Sequence, residues 1–364
     1  MNQEWQNFLV QQGAQLQDGS VHDFGNLQAE LLAARDGTIV CDLGQFGRIK
    51  VSGEDAQKFL QSLLSNDIGT INNQSSQLSS FNSPKGRMLA TFLVTQQNTD
   101  YVLQLPRSLT AAMQKKLAMY VLRAKVKVTD VSDELISLGI AGVNAAALIK
   151  QQFNITLELD GAVAQLSDTT VIRIAANRFQ INTTAHLAIS IWNSLASSAM
   201  VAGASCWDWL NIHAGIPVVT PATQEQFVLQ MSNLDLLGGV SFTKGCYPGQ
   251  EIVARTHYLG KQKKRMFLAH VATDNMAEAG NEVFSSDMPE QPCGMVMNAC
   301  IAPGGGFDLL AVMQITSHDT QKIHLLSSQG AELQFLPLPY ALPAAVERAP
   351  VNKQREYSDK RFNT

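Results

Sequence analysis

Cysteine is scarce in these 364 residues: Cys41, Cys206, Cys246, Cys293 and Cys300 are all there are. None belongs to a Cys-x-x-Cys pair or stands beside spaced histidines, so neither a disulfide framework nor a zinc site is expected. Surplus positive charge is missing too. With a formal net charge of −4 and no basic stripe interleaved with aromatics, the chain gives no strong sign of direct nucleic-acid binding, which needs clustered Lys and Arg to neutralise phosphates. Dinucleotide fingerprints and zinc-deaminase motifs are also absent. No apolar run approaches the roughly 20 residues that cross a bilayer. Met1 to Val10 carries Glu4 and no basic residue ahead of its apolar positions, unlike a secretory leader. A cytoplasmic protein with no membrane partner is expected.

What is present is ordinary globular material, 45% hydrophobic and 16% charged, in a chain longer than one core usually organises, so two or three domains are expected. Thr38 to Val51 alternates loosely like a strand. Gly53-Glu54-Asp55 then opens a helix that sets Phe59, Leu60, Leu63 and Leu64 on one face, with Ser65-Asn66-Asp67 as its stop. Strand-like runs follow around Phe81 and from Met88 to Val94, joined by the turn Ser83-Pro84-Lys85-Gly86-Arg87. A second unit repeats the order: a strand over Leu135–Ala141, a helix over Asn144–Phe153, strands at Val171–Ile174 and Arg178–Asn182, and a helix through Trp192. From Arg265 the pattern becomes short apolar runs between turn residues, Pro303-Gly304-Gly305-Gly306 being the clearest, as in a small all-β domain. The last residues are polar and charged and read as a solvated tail, although their Lys353, Arg355, Lys360 and Arg361 could also touch RNA.

One segment is unusually specific: Lys244-Gly245-Cys246-Tyr247-Pro248-Gly249-Gln250-Glu251, followed by Ile252-Val253-Ala254-Arg255. Glycines on both sides let the backbone turn tightly, and Pro248 limits the loop's shapes. Lys244, Arg255 and His257 are near in sequence, and cations near in space favour a thiolate. Cys246 is therefore a candidate redox thiol, with burial as a small packing residue the competing reading.

This segment resembles the signature of the YgfZ family, Lys-Gly-Cys-Tyr-x-Gly-Gln-Glu. The match extends upstream through Asn233–Phe242 and Asn211–Pro217, and more weakly from about Thr38 to Pro339. The resemblance implies a relative of the glycine-cleavage aminomethyltransferase, or T-protein: an α+β fold of three domains in a ring, two ferredoxin-like units and a C-terminal small β-barrel, around a channel that accepts a folate. On that template residues 1–130 with 205–263 form the folate-binding domain, 131–204 the second unit, 264–345 the β-barrel and 346–364 a flexible tail. The family further implies tetrahydrofolate or another reduced folate as ligand. It also implies support of iron–sulfur enzymes, such as a tRNA methylthiolation enzyme, without turnover of its own.

A pterin is flat and edged with donors and acceptors, so its site needs aromatic or apolar faces and a few fixed polar groups. Trp207 matches a family tryptophan assigned to folate, with a core role as the competing reading. Phe46 aligns with a second such tryptophan, keeping a ring and losing the indole donor. Trp209, two residues from Trp207, points elsewhere on a helix and reads as packing. Around the signature, Gly245, Tyr247 and Gly249 shape the loop, while Gln250 and Glu251 either meet the pterin edge or anchor the loop. The anionic tail of a folate favours a cation, for which Lys85, Arg87, Lys244 and Arg255 are candidates. T-proteins carry paired aspartates where Ala90 and Thr91 align here. Neither can serve as the acid, so folate binding without aminomethyl transfer is the favoured reading, and a one-carbon transferase with relocated acid chemistry, for instance at Glu251, the alternative.

Overall fold

The computed structural model of the protein describes residues 2–258 and 262–343, and the expected tail at 346–364 lies outside them. Three large sheets and a two-stranded hairpin, Gln15–Gln17 with Ser20–Asp23, carry a mixed fold among the described residues. The first is antiparallel, ordered Ser76–Asn82, Met88–Gln97, Asp100–Pro106, Phe46–Ser52, Lys127–Asp130. The second runs Val163–Gln165, Thr169–Ala175, Arg178–Thr183, Ile136–Gly142, Thr38–Asp42, Met200–Ala202, with only its last pair parallel. The third, also antiparallel, is ordered Ile323–Leu325, Glu282–Ser285, Pro292–Ile301, Phe307–Gln314, Lys264–Val271, Leu333–Leu336, and a bridge between His324 and Glu332 joins its two edges.

Where the sequence suggests one strand over Thr38–Val51, the chain makes two and changes sheets between them. Thr38–Asp42 pairs with Ile136–Gly142, whereas Phe46–Ser52 pairs with Asp100–Pro106. The break lies in Asp42-Leu43-Gly44. The Asp42 carboxylate accepts the Gly44 N–H at 3.0 Å and the indole N–H of Trp5 at 2.8 Å, and the Phe46 N–H returns to Leu43 O at 3.1 Å, a tight turn that competes with the ladder. The segment up to Asp42, which the template groups with the first unit, thus packs with the second sheet. Its helix Gln3–Gln11 brings Trp5 edge-on to Trp192, ring centroids 5.6 Å apart, in a core shared with Leu138, Ile140 and Phe179.

The helix expected after Gly53 is shorter than its apolar pattern, Ala56–Gln61, although Phe59, Leu60, Leu63 and Leu64 are all buried. The Ser62 hydroxyl donates to Phe59 O at 2.8 Å, and Leu64 leaves to bridge Phe81, so sheet contact ends the helix. Ala145–Phe153 is helical nearly as expected and stops at Asn154, whose φ of 54° is left-handed. Pro303-Gly304-Gly305-Gly306 makes the hairpin between Pro292–Ile301 and Phe307–Gln314, with all three glycines at positive φ.

Candidate functional site

The helix Ala204–His213 presents a different partner on each face. Trp209 and His213, four residues apart and so neighbours on the surface, meet Asp308 of the third sheet: the indole N–H and His213 Nε2 each lie 2.7 Å from its Oδ2, while His270 Nδ1 is 2.8 Å from its Oδ1. These contacts hold the Asp308 carboxyl below the usual carboxylate range against its burial. Trp209, read as packing from sequence, is therefore also a hydrogen-bonded clasp. Trp207 and Asn211 take another face. The Arg178 guanidinium stands 4.4 Å from the centre of the Trp207 ring, donates to Asn211 Oδ1 at 2.7 Å and to Leu210 O at 3.1 Å, and is pulled down to about 10 by burial. Gly139 admits the indole, since a Cβ there would stand 2.5 Å from a ring carbon of Trp207.

Against this helix open two adjoining hollows of about 80 and 270 Å³, both partly open to solvent. They share Phe46, Pro106, Asn211, Ile216 and Val218. The first is walled mainly by apolar groups, among them Phe46, Phe92, Leu105, Trp207 and Leu234. Phe46 reaches it because the chain changes sheets just before it. Thr91, which the family resemblance aligns with a T-protein aspartate, lines the same hollow and accepts the Val219 N–H at 3.2 Å, while Ala90 is wholly buried.

Most polar groups of these walls are already engaged. Gln104 and Gln180 exchange amide hydrogen bonds of 3.0 and 2.6 Å across the first and second sheets. Asn298 takes the N–H of Val218 at 2.9 Å and returns a bond to its carbonyl at 2.8 Å. Asp208 and Gln45, in the second hollow, differ. One long contact of 3.4 Å joins Gln45 Nε2 to Asp208 Oδ1, Gln45 Oε1 is buried with no partner, and burial pushes the Asp208 carboxyl up to about 6. Sequence reading missed both. The available signal was an aspartate directly after the candidate stacking tryptophan and a glutamine directly before the candidate stacking phenylalanine.

The signature loop lies elsewhere. Of Lys85, Arg87, Lys244, Gly245, Cys246, Tyr247, Gly249, Gln250, Glu251 and Arg255, none lines either hollow. Lys244 is buried, and its three ammonium N–H groups go to the carbonyls of Gln61, Leu64 and Asn66 at 2.7, 2.6 and 3.0 Å. Burial pulls it down to about 8 against the field of Asp67. It anchors the loop to the end of the Ala56–Gln61 helix and has no donor left for a folate tail. Tyr247 is buried 5.2 Å from that ammonium. Arg87, itself exposed, donates to the carbonyls of Glu225 and Gln226 and borders a separate hollow with Lys264. Lys85, Glu251 and Arg255 are exposed and Gln250 half-buried. His257, exposed on the helix Gln250–Tyr258, stacks on Phe242 at 3.7 Å.

Cys246 is the exposed thiol of the five; Cys41, Cys206 and Cys293 are buried and Cys300 half-buried, and burial raises all four of those thiols. The two glycines beside it are not equivalent. Gly249 has φ 78°, and a Cβ there would stand 2.5 Å from Gly86 Cα and 2.6 Å from Ser83 O, so the signature and the Ser83–Arg87 turn pack backbone to backbone. A Cβ on Gly245 meets nothing within 4 Å. Gly249→Ala is expected to lower stability by about 2 kcal/mol in urea unfolding, and Gly245→Ala by under about 0.5 kcal/mol. Equal losses would contradict the close packing. Among the described residues no cluster of His, Cys, Asp and Glu could hold a metal, and no helix is long and apolar enough to cross a membrane.

Residues 12–163 match the GCVT N-terminal domain. Over 321 residues, 87% of this chain and 98% of the relative, the sequence is 28% identical to the tRNA-modifying protein YgfZ of Colwellia psychrerythraea (strain 34H / ATCC BAA-681). The structure superposes on the glycine cleavage system aminomethyltransferase T from Bartonella henselae with a TM-score of 0.77, covering 93% of this chain and 97% of that one at 15% identity, which establishes the fold. The resemblance to the YgfZ family that the Lys244–Glu251 signature carries is thus shown across most of the sequence, on the mixed α/β fold of the glycine-cleavage T-protein.

Proposed function

We propose that the chain binds a reduced folate, tetrahydrofolate or a close relative, in the paired hollow. Through it the protein supports iron–sulfur enzymes, among them one that methylthiolates tRNA, with Cys246 as a redox-active thiol. The carrying observation is that Phe46 and Trp207, 161 positions apart in the sequence, present aromatic rings to one largely apolar hollow. A flat heterocycle gains both area burial and ring contact there. The T-protein fold and the tRNA-modifying relative support the reading, and with it a ring of three domains whose third is a small β-barrel.

Anaerobic calorimetry with tetrahydrofolate tests the ligand. Phe46→Ala is expected to weaken binding about tenfold, the loss of one ring contact worth about 1.4 kcal/mol. No heat with any reduced folate would end the folate reading. For the thiol, Cys246→Ser in cells lacking the native gene is expected to depress methylthiolated tRNA nucleosides, and unchanged levels would remove its redox role.

One observation favours the transferase alternative: Asp208 puts a carboxyl in the cleft wall, whereas Glu251 is exposed and outside it. Folate-dependent release of a methylene group from an aminomethyl donor, lost in Asp208→Asn, is the result that reading requires.

A further inference from the structure

The amides of Gln104 and Gln180 satisfy each other, Asn298 is held by Val218, Thr91 takes the Val219 N–H, and Asn211 Oδ1 takes Arg178. Beside the Ser108 hydroxyl and the Asn211 amide, the second hollow holds two acceptors joined by one contact: the half-buried Asp208 carboxylate, with a single bond of 3.4 Å from Gln45, and the buried, unpartnered Gln45 Oε1. Buried acceptors without partners are costly and are found where a ligand or water completes them. We infer that Asp208, with Gln45 beside it, recognises a ligand edge bearing two adjacent N–H donors, the 2-amino and N3–H edge of a reduced pterin. This rests on the folate reading and names the residues that orient the folate.

The geometry matches the chemistry in three ways. A carboxylate presents two oxygens to a planar pair of N–H groups, the arrangement that makes bidentate pairs strong and direction-specific. Asp208 directly follows Trp207 on the Ala204–His213 helix, and Gln45 directly precedes Phe46. These two rings of the first hollow are thus each coupled through one backbone link to an acceptor in the second. The two hollows also share Asn211, Ile216 and Val218, so a ring held by the aromatics extends its edge into the acceptor pair. Arg178 is the cation whose field reaches Asp208, but its guanidinium is engaged by the Asn211 amide and the Leu210 carbonyl and lies against the Trp207 ring. The carboxylate therefore keeps acceptor capacity for a ligand.

The test is anaerobic calorimetry of the full chain with tetrahydrofolate and with its 2-desamino analogue, on the wild-type protein and on Asp208→Asn. Wild-type protein should bind the desamino analogue at least tenfold more weakly, and Asp208→Asn should bind tetrahydrofolate at least tenfold more weakly while keeping the wild-type circular dichroism spectrum. Equal affinity of wild-type protein for the two ligands overturns the assignment and leaves the folate reading standing. So does equal affinity of the two proteins for tetrahydrofolate. Absence of tetrahydrofolate binding by wild-type protein removes both. The desamino arm needs no variant and decides the matter even if Asp208→Asn fails to fold.

Discussion

Lys244→Ala is expected to lower the unfolding free energy by about 3 kcal/mol, because it strips the partner from three carbonyls at once. Each lost bond to a charged donor is worth on the order of 1.5–3 kcal/mol, but water entering the vacated space recovers part of the total. The bonds concerned run to Gln61, the last residue of the Ala56–Gln61 helix, and to Leu64 and Asn66 just beyond it, and they fasten the signature loop to that helix end. Lys244→Met keeps most of the apolar stem and no donor, so it should do no better than alanine; a clear rescue by methionine would assign the loss to packing instead. Folate titration separates the two roles the residue has been given. At a temperature where the variant stays folded, its affinity for tetrahydrofolate should stay within about twofold of wild type, since the ammonium is outside both hollows. A large fall would restore Lys244 as the partner of the folate tail.

The contrast between Lys244 and Trp207 shows how far this fold and site can be read from the sequence. Local pattern suffices for the Ala145–Phe153 helix and for the glycine hairpin at 303–306, because periodicity and turn residues are properties of short segments, whereas Phe46 and Trp207 stand out from other aromatics only through the family resemblance. It fails where a side chain's partner is backbone far along the chain. Nothing about Lys244 announces carbonyls some 180 positions earlier, and a cation in a glycine loop reads naturally as a ligand group. The same limit applies to Thr38–Val51, where alternation continues through a change of sheet that depends on Asp42 finding Gly44 and Trp5. Asp208 is hidden for a third reason. On a helix it resembles any solvated aspartate until Gln45, Thr220 and Asn298 are folded around it.

Asp208→Asn should stabilise the protein, by as much as about 3 kcal/mol above pH 6, while impairing the ligand binding assigned to it. Burial pushes the carboxyl from its ordinary 3.8 up to about 6, with Gln45 and Arg178 pulling the other way, and because the side chain keeps some contact with solvent, about 3 kcal/mol is the upper bound on what its ionisation costs the fold. Between those two values the folded chain keeps a proton that the unfolded chain has released. Stability attributable to this group therefore falls as pH rises from 3.8 to about 6 and stays low above it. Asparagine cannot ionise, so its advantage over wild type should be full above pH 6 and shrink as the pH is lowered through that window. The other ionisable groups in this field, Arg178 over the Trp207 ring and the thiols of Cys206 and Cys300, remain in both proteins and drop out of the difference to first order. Paired urea unfolding curves at pH 5 and pH 8 measure it. A carboxyl kept for structure would give a variant less stable at pH 8 than wild type. A variant more stable there and at least tenfold weaker toward tetrahydrofolate is the signature of a group held at a stability cost for the ligand it meets.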